Sequence, residues 1–185
     1  MKNFLFCLFS ISLFLSSCQD EPIIIDAELH HDGENFTAPF FDAMSYTCAA
    51  RFSGGITSEY TGLNLTEVEF YFNELPEQVV VQIYGQRSSE EPGVLFYEAD
   101  VSTSLTPNSW NQHTLTSPVE ILGQDLWIAL SCSQVSRKQT MGCDAGPSVI
   151  GGDMIFTETN NQWETFEQLT TTESINWNIR GQVSE

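Results

Sequence analysis

Residues 65–72 read LTEVEFYF, with Val68, Phe70 and Phe72 on one face and Glu67, Glu69 and Tyr71 on the other. Alternation of apolar and polar residues at period two marks a half-buried β-strand. The same pattern recurs along the chain. In 78–84, QVVVQIY, Val79, Val81 and Ile83 alternate with Val80, Gln82 and Tyr84. In 125–132, DLWIALSC, Leu126, Ile128, Leu130 and Cys132 align. In 174–183, SINWNIRGQV, Ile175, Trp177, Ile179 and Val183 oppose Asn176, Asn178, Arg180 and Gln182. Further strands are expected at 46–52, 93–99, 109–115, 154–158 and 162–166. Turn-forming stretches lie between them, among them Asn73-Glu74-Leu75-Pro76, Glu91-Pro92-Gly93, Thr106-Pro107-Asn108 and Asn160-Asn161. No window has a helical period. Many short strands with frequent turns predict an all-β fold, a jelly-roll β-sandwich.

The composition narrows the function classes. The 185 residues carry 6 Lys+Arg against 25 Asp+Glu, a formal charge of −19. So few cations cannot neutralise a phosphate backbone, which argues against a nucleic-acid partner. Hydrophobic residues make up 41% and aromatics 12%, enough for a core and too many for a disordered acidic tail.

The first 17 residues read as a lipoprotein signal peptide. Lys2 precedes an apolar run from Phe4 to Leu15 that is short for a membrane span. Leu15-Ser16-Ser17-Cys18 then resembles a lipobox, in which the Cys18 thiol takes a diacylglycerol. Residues 18–26 form the lipidated Cys and an acidic tether, and 27–185 a single jelly-roll domain. Loss of Lys2 with the leader leaves five basic residues against 25 acids, a charge of −20. Gln19-Asp20-Glu21 resembles the surface-export signal of lipoproteins in gliding and gut Gram-negative bacteria. The expected location is the outer membrane, held by the N-terminal lipid with the head exposed at the cell surface. The chain is expected to be a monomer.

An ordered set of segments carries a family resemblance. It runs through His31-Asp32-Gly33, Ala49-Ala50-Arg51-Phe52, Leu65–Tyr71, Val81–Gly85, Pro92–Tyr97, Ser109-Trp110-Asn111, Leu126–Leu130, Gly142–Pro147 and Asn176–Gly181. Together these resemble the jelly-roll modules of secreted and surface proteins, and are similar to the cleaved adhesin domains of gingipain proteases. The resemblance implies a module that binds or spaces and does not catalyse. It also implies a structural Ca²⁺, because related modules carry one.

The candidate site residues follow. Asp32 and Asp144 lie in short loops and are either Ca²⁺ ligands or solvated turn acids. Gly142, Gly146 and Pro147 bracket Asp144, which points to a tight loop holding its carboxylate. Arg180 is expected to pair with an acid such as Asp144 or Glu158. His30, His31 and His113 show no zinc spacing. Of the remaining thiols, Cys132 and Cys143 are the expected disulfide, with Cys48 and Cys143 as the alternative, and the exported compartment permits either. Trp110, Trp163, Tyr71 and Tyr84 are candidate sugar platforms, whereas Trp127 and Trp177 are expected in packing. No Gly-x-Ser-x-Gly elbow and no phosphate loop occur.

Three function classes follow from these readings. The first is a non-catalytic surface binding or adhesion module with a glycan or protein ligand. The second is a carbohydrate-binding accessory of a polysaccharide-uptake system. The third is a hydrolase of unrecognised type.

Overall fold

The computed structural model describes residues 27–185. The leader, Cys18 and the tether up to Asp26 lie outside the described residues. Among the described residues there are twelve strands: β1 Ala27–Leu29, β2 Phe40–Phe41, β3 Met44–Phe52, β4 Asn64–Phe72, β5 Gln78–Gln86, β6 Pro92–Asp100, β7 Ser109–Glu120, β8 Leu126–Gln134, β9 Lys138–Gln139, β10 Met154–Thr157, β11 Gln162–Thr165 and β12 Ile179–Ser184. One sheet has the order β1-β12-β4-β7 and a second the order β11-β10-β3-β8-β5-β6. A ribbon of β2 and β9 completes the set. All pairings are antiparallel, for example Cys48↔Leu130 and Phe52↔Leu126 between β3 and β8. The architecture is the expected all-β sandwich.

The alternation that predicted the strands also builds the core. Val68, Phe70 and Phe72 of β4 face Val79, Val81 and Ile83 of β5 and Ile128 and Leu130 of β8 across one fully buried cluster. Trp177 joins this cluster and donates from Nε1 to the Met154 carbonyl at 2.9 Å. Burying each large apolar side chain contributes about 1.5–3 kcal/mol.

The last predicted strand is shorter than expected. It starts at Ile179, because the segment before it hydrogen-bonds in another pattern. Trp177 N–H donates to the Gly152 carbonyl and Asn178 N–H to the Gly142 carbonyl. Asn176 and Asn178, expected on a polar outer face, are buried along with Ile175 and Trp177. Two short helices interrupt the β pattern, α1 Gly54–Thr57 and α2 Phe166–Thr170. A capping box starts α2. The Thr165 side chain accepts from Gln168 N–H, and the Gln168 side chain accepts from Thr165 N–H. Among the described residues no helix is long and apolar enough to cross a membrane.

Candidate functional site

The four predicted platform aromatics divide between the two outer faces of the sandwich. On the four-stranded sheet the register places Tyr71 of β4 opposite Trp110 of β7, and their rings meet edge to face at 5.8 Å. Arg180 projects from β12 on the same face, with its guanidinium 4.2 Å from the Trp110 ring centre. Around them runs a polar ladder. Gln112 donates to Glu69 at 2.6 Å, Thr114 to Glu67 at 3.0 Å and Gln182 to Glu28 at 3.0 Å.

Arg180 is fixed from below by Asp32, whose side chain is fully buried. Arg180 Nε donates to both carboxylate oxygens at 3.1 Å and Nη2 to Oδ2 at 3.0 Å. Asn178 adds a bond to Oδ2 at 2.7 Å. The expectation of an Arg180 pair with Asp144 or Glu158 is therefore corrected, and Asp32 holds it, with Glu28 beyond at 3.9 Å. Asp144 has a different set of donors. Its Oδ1 accepts from Gly146 N–H and Asn176 N–H, and its Oδ2 from Gly33 N–H and the Asn176 side chain, at 2.8–3.1 Å. Burial works to raise the Asp144 pKa, but the bonds from Asn176, Gly146 and Gly33 outweigh it and hold the carboxyl below its ordinary value. Gly146 makes the tight loop possible with φ +69°, and a Cβ there would lie 1.9 Å from the Ser174 carbonyl oxygen.

The two predicted Ca²⁺ loops thus meet, through Gly33 N–H and Asp144, but as a hydrogen-bond network. Every carboxylate oxygen of Asp32 and Asp144 faces N–H donors, one of them a guanidinium. Asn35 Oδ1 and Asn178 Oδ1 are buried oxygens with no donor among the described residues, and both approach Gly142. Two amide oxygens fall short of the six to eight that Ca²⁺ takes. As placed, these residues do not fit the ion. Among the described residues no group of three or more His, Cys, Asp or Glu is placed to hold a metal.

The outer face of the six-stranded sheet is built differently. Ala49 of β3 and Ala129 of β8 pair side by side and leave room for Trp127, which is completely buried with them and Met154. Tyr84 and Trp163 pack against this second cluster from opposite sides of the sheet order. Trp163 meets Trp127 at 5.4 Å and 67°, edge to face. Trp127 is a packing residue as expected, although on the face opposite to the main core. Beside Trp163 opens a cleft of about 720 Å³. Its walls include the loop at Val149-Ile150, the turn at Ser89-Glu90, and Asp153, Glu164 and Glu167. Arg51 also lines it, with Nη1 held by Asp125 at 2.7 Å. Arg51 and Trp127 are register partners, and neither Arg51 Nε nor Trp127 Nε1 finds an acceptor among the described residues.

Asp153 is committed to the fold. Its Oδ2 accepts from Glu167 N–H at 3.2 Å and its carbonyl from Phe166 N–H, so it anchors the start of α2. Burial raises its pKa against the opposing effect of these hydrogen bonds. Trp163 is the one member of the predicted aromatic set that lines the cleft. The contributions of Arg51, Asp153, Glu164 and Glu167 had no periodic signal and depend on which strands become neighbours.

The thiols and imidazoles lie elsewhere. Cys48, Cys132 and Cys143 are all buried and free, so neither the Cys132–Cys143 bridge nor the Cys48–Cys143 alternative is present. The expected hairpin does not return beside Cys132. After β8 the chain pairs β9 with β2, and Cys143 bridges Thr37 and Trp177. Burial pushes the thiols of Cys132 and Cys143 up to about 12 and that of Cys48 well above its ordinary value. These are groups in their unreactive form. His31 Nε2 lies 2.9 Å from the Arg51 carbonyl and its ring stacks on Phe52 at 4.6 Å, whereas His113 lies 2.7 Å from the Tyr97 hydroxyl.

No family model matches the sequence, and no curated protein matches it significantly. Two solved structures share its fold. One is a clostridial cysteine protease, Cwp84, after propeptide cleavage, with TM-score 0.61 and 11% identity over 86% of this chain and 40% of that one. The other is described as the cysteine protease and lectin-like domains of Cwp84, a surface layer associated protein of Clostridium difficile. Its TM-score is 0.56, with 11% identity over 82% of this chain and 36% of that one. This chain therefore spans about two fifths of the length of those chains. At such identity the likeness is one of fold.

Proposed function

We propose that the chain is a non-catalytic binding or adhesion module, anchored to the outer membrane through lipid on Cys18 and carried at the cell surface. The observation that carries this reading is the open cleft beside Trp163 on the outer face of the six-stranded sheet. Mostly concave sites with a few placed polar groups hold ligands, and this cleft pairs an aromatic ring with polar walls. The shared fold with a surface layer associated protein that has cysteine protease and lectin-like domains supports a location at the cell surface. The buried, protonated thiols support a binding role over nucleophilic catalysis.

The test has two parts. A fatty-acid analogue should label the wild-type chain in growing cells and fail to label Cys18→Ala. Protease added to intact cells should then remove the head of the wild-type protein. An unlabelled wild type would remove the anchor, and a head protected from protease would remove the surface role.

Within this reading, the aromatic and carboxylate lining favours a carbohydrate ligand over a purely spacing role. The −20 charge expected of the mature chain suits a head projecting from, and repelled by, an anionic membrane surface.

A further inference from the structure

We infer that the chain, expected from its sequence to be a monomer, pairs with a second copy of itself through the groove between the β2 segment and α2. This surface is separate from the cleft beside Trp163 and goes beyond the binding reading.

The groove encloses about 350 Å³. Its floor is apolar, because Ala38, Cys143, Phe166 and Ile175 line it and all are buried. Phe40 stands on one wall and Glu173 on the other. The wall that carries Phe40 is tied down by its backbone. Phe36 N–H and Thr37 N–H both donate to the Cys143 carbonyl, at 2.8 and 3.2 Å, and Cys143 N–H donates to the Thr37 carbonyl at 2.8 Å. The segment is thus held on the groove floor, yet Phe36 is 72% and Phe40 56% exposed. Large rings left in water beside an apolar hollow mark an interaction surface.

Three observations select a second copy as the occupant. The first is shape. Ring and hollow lie side by side on one face, so a two-fold axis sets Phe36 of each copy over the groove of the other. That arrangement is self-complementary and closes as a dimer. The second is the sign of the rim charges. The Arg137 guanidinium stacks on Phe40 at 4.5 Å from the ring centre, and Glu173 lines the groove opposite. The same rotation brings each Arg137 to Glu173 of the other copy. A cationic partner would meet Arg137 at this rim and an anionic one Glu173.

The third is the distribution of the few cations. Of the five basic residues that follow Lys2, Arg51 and Arg180 are taken up by Asp125 and Asp32. Arg137 and Lys138 come together beside β2, because β9 pairs with it. They offset Asp42 at 3.7 Å and Glu77 at 2.7 Å. Two acidic copies therefore meet least repulsion on this face, and charges beyond about 8 Å are screened at physiological salt.

The pairing bears on binding. Phe166 of α2 lines the groove, whereas Glu167 and Gln168 of the same helix line the cleft beside Trp163. A pair of copies carries two such clefts and can hold a repetitive ligand at both.

Sedimentation equilibrium of the full chain in density-matched detergent tests this, over about 1 to 100 μM, where micromolar association is resolved. A monomer–dimer equilibrium is expected for the wild type. Phe36→Ser should weaken it by about tenfold or more, as loss of a central aromatic contact does. The exposure of Phe36 means that its melting midpoint should stay at the wild-type value. Arg137→Glu and Glu173→Arg should each weaken pairing by about fivefold or more, because like charges then face each other twice per dimer. The double variant should recover to within about twofold of the wild type. Phe96→Ser removes an exposed ring on β6, outside the groove, and should leave pairing unchanged.

A monomer throughout the range would overturn the inference. A dimer that survives Phe36→Ser would be the work of the lipid or the detergent, and would overturn it too. The same holds for a dimer that Phe96→Ser disrupts equally, or for single charge reversals that the double variant does not rescue.

Discussion

On the four-stranded sheet Trp110 lies under the Arg180 guanidinium at 4.2 Å, whereas on the six-stranded sheet Trp163 stands at the edge of a cleft of about 720 Å³. Both rings come from strands, both sit on outer faces and both have a second tryptophan or tyrosine edge against them. The difference lies in what the neighbouring strand supplies. Beside β7 and β4 runs β12, which delivers a cation held by a buried carboxylate. Beside β10 runs β3, which offers Ala49 and an arginine already paired. An outer-face aromatic is thus a platform or a packing partner according to register, and its residue type does not decide which.

The largest expected effect breaks the closed face. Asp32→Ala removes the main acceptor of the partly exposed Arg180 guanidinium and of the buried Asn178 amide, leaving them only the Gly33 carbonyl at 3.2 and 3.4 Å. Removing one partner of such a pair typically costs about 3–5 kcal/mol. The urea midpoint should fall accordingly, with the slope unchanged, and a change below about 1 kcal/mol would show that water replaces the carboxylate there. Asp144 gives this face an acid-sensitive component. Its folded pKa lies below the unfolded value, so its contribution is complete above the unfolded pKa and is lost as pH falls through the folded one. Stability should therefore drop in acid, and Asp144→Asn should be less stable at neutral pH but show a flatter acid limb. Asp153 acts with the opposite sign. Its raised folded pKa means that ionisation costs stability as pH rises through that value, and Asp153→Asn removes this slope.

Next in size are the two tryptophans, compared directly. Trp163→Ala should reduce ligand affinity by about tenfold, or 1.4 kcal/mol, because its ring faces the cleft. Trp110→Ala should leave ligand binding unchanged and cost about 1 kcal/mol of stability through the lost cation–π contact. Thermal melts and titrations on both variants give a two-by-two comparison. An affinity loss in Trp110→Ala equal to that in Trp163→Ala would erase the distinction between the faces.

The fold was legible because period-two alternation survives in strands such as β4, β5 and β12 without help from distant residues. Val68, Phe70 and Phe72 of β4 are buried in the register their spacing implies. Partners distant in sequence were not legible. Arg180 meets Asp32 from the opposite end of the chain, and no local pattern distinguishes Asp32 from Glu158 or Asp144 as its partner. The free thiols failed for the same reason, since nearness in sequence between Cys132 and Cys143 says nothing about the strand that intervenes. The helix α2 was missed, because at five residues it is too short to show a helical period. The cleft depends on β10, β11 and the 148–151 loop gathering around β3, so Trp163 was legible as an aromatic and Arg51 as a strand residue, but their shared place was not.

The smallest expected effect is the sharpest for the closed face. A structural Ca²⁺ at Asp32 and Asp144, as the family resemblance implies, would raise the melting midpoint by mass action, and a chelator would reverse the rise. The hydrogen bonds argue for no change. Asp144 already accepts four N–H donors at 2.8–3.1 Å, and Asp32 accepts a guanidinium and an amide. An entering ion would have to displace Arg180, whose positive charge opposes it at short range. Arg180 thus stands as the internal cation of this face, and calcium and chelator should leave the midpoint within about 1 °C of each other. A midpoint that rises by several degrees with Ca²⁺ in the wild type, and no longer does so in Asp144→Asn, would mean that the Asn35 and Asn178 oxygens and a rearranged Asp144 form the site after all. The closed face would then owe its rigidity to a metal and not to the guanidinium.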